Sequence, residues 1–233
     1  DGRMEHHEWI DSNQGVFPNF EFVKQLKAVL DKDEGTIFRY AAHENTVLRQ
    51  IQTQMIDDDE PKYGELDEWI DSITEYKIGG VKTTGYRNMV DMLQLVRNYY
   101  YHPDMGGSNS IKKVLPAVMN GESIKVKYSK HLEFGTHLKG RVLYELDAET
   151  GKPVNPYYLL PSQYSDLGLS TEALIVVDGE VKDGGAALVA YAKMQFTDMT
   201  DTEREALRNA LLQYCELDTL AMVMIYEHWV SQL

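Results

Sequence analysis

The period of the apolar positions changes several times along the chain, and each change marks an expected element. From Arg3 to Ile10 the alternation is close to two residues, which predicts a strand. After the turn residues of DSNQGVFPN, apolar positions 22, 23, 26, 29 and 30 share one face of a helix from Phe20 to Leu30. Gly35 then opens TIFRYA, a β-branched and aromatic run that reads as a buried strand. From His43 to Ile56, Val47, Leu48, Ile51 and Met55 line one helical face, and the acidic run Asp57 to Glu60 reads as its solvated end before Pro61. A second helix is expected from Gly64 to Tyr76, with Leu66, Trp69, Ile70 and Ile73 inward.

Asn88 to Val96 is mostly apolar around Asp91, and YYYHPDMGGSNS after it is loop chemistry ending in helix-capping residue types. The next helix should run from Ser110 to Met119 and stop at Asn120-Gly121. Between 122 and 170 the signal is poor, with short strands suggested at VLYEL and YYLL, so this stretch reads as an irregular insertion. Ala173 to Val181 predicts a hairpin turning at Asp178-Gly179, and Ala186 to Phe196 a helix. Thr200 and Glu203 have capping-box spacing, and the apolar pattern from Leu207 to Trp229 runs without Gly or Pro. That predicts one helix of about 30 residues. Strands interleaved with helices give an α/β domain, and no repeat or linker divides residues 1–233.

Composition narrows the classes. A hydrophobic content of 43% supports a real core, and no apolar run approaches the roughly 20 residues of a membrane helix. With no signal-peptide pattern at DGRMEHHEWI, a soluble, unsecreted, cytoplasmic protein is expected. The lone Cys215 excludes an internal disulfide and a thiolate metal cage, and its helical setting reads as core. A net charge of −14 argues against gripping a polyanion by surface charge alone. Locally the balance reverses: seven Lys and Arg residues between Lys112 and Arg141 face only Glu122 and Glu133. That band is either a phosphate-facing surface or an ordinary solvated helix and hairpin.

The last helix carries the sharpest candidate. Leu207, Leu211, Tyr214, Asp218, Ala221 and Ile225 recur at helical spacing, which sets Asp218 within an apolar stripe. An unpaired buried carboxylate costs several kcal/mol, so Asp218 needs a metal ion, a Lys or Arg partner, or a loop whose donors it caps. Tyr214, one turn earlier, projects onto the same face.

YCELD, taken as Tyr-x-x-x-Asp on a long C-terminal helix, resembles the third motif of the tyrosine subclass of DEDD exonucleases, whose fold is ribonuclease H-like. In them the Asp binds a divalent metal and the Tyr positions the attacking water. The runs FRYAAHENTVLRQI, YYHPDMGGSNSIKKVLPAVMN, DGGAALVAYAKMQF and LLQYCELDTLAMVMIYEHW look like the bacterial family catalogued as domain of unknown function 2779, itself similar to such exonucleases. The resemblance implies a mixed sheet flanked by helices and a nuclease acting on single-stranded DNA or RNA from a 3′ end with Mg²⁺ or Mn²⁺. It makes Glu44 and Asp218 metal ligands, Tyr214 the residue orienting water, and Asp91, on an expected strand, a supporting acid of the metal site. His43, Ser108, Asn109, Lys112 and Lys113 become phosphate contacts.

Two departures stand beside it. Ala41, His43 and Glu44 occupy places where the exonucleases have Asn, an aromatic residue and Asp. The first motif, Asp-x-Glu on an opening strand, does not precede Glu44. The resemblance therefore implies a C-terminal fragment lacking its first strands, inactive alone, acting beside an upstream domain of its parent, with an exposed sheet edge that favours a homodimer. The competing reading is a non-catalytic module that binds nucleic acid or a partner domain.

Overall fold

The structure, a computed structural model, describes residues 4–57, 63–160 and 184–233. It contains two compact units, one formed by residues 17–101 and the other by 1–16 with 102–233. The architecture is mixed α/β and mainly helical, with two small two-stranded sheets among the described residues.

The unit of residues 17–101 is built on three helices, α1 (Asn19–Leu30), α2 (His43–Asp57) and α3 (Gly64–Ile73). Their apolar faces are the periodic ones, and Val23, Leu48, Ile51, Met55, Leu66, Trp69, Ile70 and Ile73 meet in one core. Strand β1 (Phe38–Arg39) pairs in parallel with β4 (Val90–Asp91), Phe38 opposite Val90 and Arg39 opposite Asp91. Between them, β2 (Glu75–Ile78) and β3 (Val81–Thr84) form an antiparallel hairpin. Its turn is Gly79-Gly80, with φ of 56° and 84°, the left-handed pair that a two-residue hairpin loop requires.

Here the expected elements shift. The helix expected to reach Tyr76 stops at Ile73, because the chain from Glu75 is taken into the hairpin. The strand expected over Asn88–Val96 is two residues long and passes at once into α4 (Met92–Tyr99). Asp91 causes the switch: its side chain accepts the backbone N–H of Leu93 at 2.9 Å and caps the new helix.

The other unit holds α5 (Ile111–Val118), α6 (Glu122–Tyr128), α7 (Gly184–Phe196) and α8 (Asp201–Val230). The spine is α8, opened by the complete Thr200–Glu203 capping box. Against it pack Val114, Leu115 and Val118 of α5, Ile124 and Tyr128 of α6, and the apolar side of α7 around Met194. The stretch expected to be irregular from 122 begins with a regular helix, α6, and holds a 3-10 turn at Pro156–Leu159 in place of the YYLL strand. Of the VLYEL strand only a single bridge forms, Leu146 to Pro153. The strand expected at Arg3–Ile10 is absent from residues 4–10, which run without regular structure. The alternation has another cause, since His6 and Glu8 are directed at charged partners described below. The hairpin expected at Ala173–Val181 and the acids Asp58 to Glu60 lie outside the described residues. Among the described residues no helix is long and apolar enough to cross a membrane.

Candidate functional site

Asp218 and Tyr214 do share one face of α8, as the spacing requires. Around the carboxylate the fold gathers Tyr157 and Lys112. The Tyr157 hydroxyl donates to Asp218 Oδ1 in a short hydrogen bond, and the Tyr214 hydroxyl donates to the same carboxylate. The two rings lie 5.8 Å apart at 48°, and the Lys112 ammonium stands 5.0 Å from the centre of each.

A break in α5 sets this cluster. Pro116 lies inside the helix and brings no N–H to the carbonyl of Lys112, four residues back. That oxygen accepts from Asn155 Nδ2 at 3.3 Å. Asn155 in turn caps the 3-10 turn through the N–H of Tyr157 at 3.2 Å, and the turn delivers the Tyr157 phenol to Asp218.

The electrostatics follow from burial. Desolvation raises the Asp218 pKa above the ordinary carboxylate value, and the Tyr157 hydrogen bond, the Lys112 charge and the Tyr214 hydrogen bond oppose it. Burial, reinforced by the adjacent carboxylate, drives the Tyr157 phenol far upward, so it stays a donor. The arrangement is a carboxylate poised to exchange a proton, oriented by two phenols beside a fixed positive charge.

The remaining candidates fall elsewhere. Glu44 lies in the first turn of α2, half-buried, and its Oε2 is enclosed without a hydrogen-bond partner among the described residues. His43 beside it is exposed. Asp91 accepts the N–H groups of Ala41 at 3.0 Å and Leu93 at 2.9 Å, and Arg39 Nη1 stands 3.6 Å from its other oxygen. Its capacity is used as a cap and an ion pair. Ser108 Oγ accepts the N–H of Ser110 at 3.3 Å, Asn109 is half-buried and Lys113 is exposed. Lys112 turns inward to the tyrosines, while two of the seven cations of the expected basic band are paired, Lys125 with Glu122 and Lys127 with Glu227. Cys215, expected in the core, is exposed.

The divalent ions implied by the resemblance can be tested on these residues. Glu44 carries an orphaned buried carboxylate oxygen and Asp218 a desolvated carboxylate, and a cation would relieve either. Both are hard oxygen donors of the kind Mg²⁺ and Mn²⁺ take. Each is a candidate ligand taken by itself, and such an ion, when bound, would activate water and steady the departing oxygen.

Sequence reasoning missed a second cluster, on the other side of α8. Glu216 is buried, and its oxygens accept the backbone N–H groups of Thr136 at 3.0 Å and His137 at 2.8 Å. Gly135, at φ 91°, makes room: a Cβ there would come within 2.1 Å of Glu216 Oε1. His6 Nε2 lies 3.8 Å from Glu216 Oε2 and 3.0 Å from Glu8 Oε2, and His137 Nε2 lies 3.2 Å from Glu8 Oε2. The pair His6-His7 two positions before an acid was the available signal.

The class is thus a mixed, mainly helical α/β protein with one buried and one half-buried carboxylate, Glu216 and Asp218, on one long helix. The model of a family described as a domain of unknown function, DUF2779, matches residues 1–110. The matched stretch includes Glu44 and Asp91 and ends before Tyr157, Tyr214 and Asp218. No curated protein and no solved structure matches the chain.

Proposed function

We propose that the chain belongs to a nuclease of ribonuclease H-like type that hydrolyses phosphodiester bonds of single-stranded nucleic acid from a 3′ end. The observation that carries this reading is the buried Asp218 carboxylate, raised in pKa and held one helical turn from Tyr214 by that residue's hydroxyl. A carboxylate whose pKa rises toward the working pH is a better acceptor for the proton of an attacking water. Tyr214 and Tyr157 fix its orientation, and Lys112 offers positive charge to a phosphate oxygen. Mg²⁺ or Mn²⁺ belongs to this reading, with Asp218 as the acid of this cluster that calls for it.

The test is cleavage of end-labelled single-stranded DNA and RNA by the full-length protein with Mn²⁺. Shortening from the 3′ end is expected, reduced at least about a hundredfold in Asp218→Asn and about tenfold or more in Tyr214→Phe. Unchanged cleavage in Asp218→Asn would overturn the mechanism.

One observation favours a second reading. Two phenols and an ammonium already surround Asp218, which is how a structural carboxylate would be stabilised in a module that binds strands or a partner domain without cutting. Strand binding without cleavage, unaffected by Asp218→Asn, would decide for it.

A further inference from the structure

We propose that His6, Glu8 and Glu216 form a binding site for a divalent transition metal of the Zn²⁺ class, separate from the Asp218 cluster. Their Nε2 and carboxylate oxygens all lie within 4.8 Å of one another. For ligand bonds of about 2.1 Å, tetrahedral ligand atoms sit about 3.4 Å apart. The observed separations of 3.0 Å from His6 to Glu8 and 3.8 Å from His6 to Glu216 bracket that edge, so small side-chain movements seat an ion.

The charges ask for one. Two carboxylates share the site, one of them buried, with the His6 and His137 imidazoles facing them. Imidazole with carboxylate suits Zn²⁺ better than Mg²⁺, which prefers oxygen alone. The supports around the ligands also match a metal centre. The N–H groups of Thr136 and His137 fix the Glu216 carboxylate, and the His137 ring holds Glu8 from behind. Three protein ligands leave a coordination position for water. His6 also lines a cavity of about 1110 Å³ walled by Lys127, Lys130 and His131, which gives the ion a way in.

The competing explanation is a network of hydrogen bonds in which protonated His6 and His137 neutralise the acids. The two differ in what His6 Nε2 binds, because a metal takes its lone pair and a hydrogen-bond network does not.

The experiment titrates the full-length protein, stripped with chelator, with Zn²⁺ by calorimetry and with Co²⁺ by visible absorption. One equivalent should bind, and Co²⁺ should show the intense bands of a four-coordinate centre. His6→Ala and Glu8→Gln, both in a segment without regular structure, should each weaken binding at least tenfold while circular dichroism stays unchanged. Asp218→Asn should leave binding intact, which keeps this result apart from any failure of the nuclease reading. No saturable binding, wild-type binding by both His6→Ala and Glu8→Gln, or loss of binding in Asp218→Asn would each overturn the proposal.

Discussion

Glu216 and Asp218 sit two residues apart on one helix, and at about 100° per residue they face nearly opposite ways. Both are acids withdrawn from water, yet they are compensated differently. Glu216 is held by main-chain N–H groups of a loop that glycine lets approach, while Asp218 is held by side chains from three separate segments. Backbone donors cannot rotate away, so Glu216 is locked in one orientation. The phenols and the ammonium around Asp218 can reorient, and its raised pKa records incomplete compensation. A locked acid suits a structural or ligating role and an adjustable one suits proton transfer.

The contrast breaks most visibly at Glu216. Glu216→Ala takes a buried carboxylate from two backbone N–H donors and should cost about 3–5 kcal/mol in urea unfolding, whereas Tyr157→Phe, which removes one donor from Asp218, should cost about 1–3 kcal/mol. Equal losses would erase the distinction. Thr200→Ala removes the cap common to both residues' helix and should cost about 1 kcal/mol, leaving Zn²⁺ binding and strand cleavage alike.

The smallest effect is one of pH. Asp218 in the folded chain has a pKa above the 3.8 of a free aspartate, so between those values the folded state binds more protons than the unfolded one. The contribution of Asp218 to stability is therefore greatest below 3.8 and declines as pH rises through the raised value. Asp218→Asn abolishes this decline, so its stability relative to wild type should climb across that interval and then level off. A flat difference curve would mean that the burial of Asp218 is fully compensated by its partners.

What the sequence revealed follows the same division. Helix α8, its capping box and the shared face of Tyr214 and Asp218 were legible because period and cap are local properties. The Gly79-Gly80 turn carried its own signal, but the helix expected up to Tyr76 overlapped the strand that leads into it. Tyr157 was not legible, since its place depends on an acceptor vacated in α5 some 40 positions earlier. The alternation at His6 and Glu8 mimicked a strand, and only the fold brings them to Glu216. The two-stranded sheets fall short of the expected mixed sheet because the apolar segment at Asn88–Val96 is claimed by α4 through the Asp91 cap.

Pro116 puts this protein at odds with ordinary stabilising engineering. Replacing it with alanine repairs the ladder of α5, an improvement by any local measure, yet it takes the Lys112 carbonyl back from Asn155 and leaves the tyrosine-bearing turn without its mooring. The gain in one helix would be a loss to its neighbours, so the imperfection is what lets a distant piece of chain find its berth.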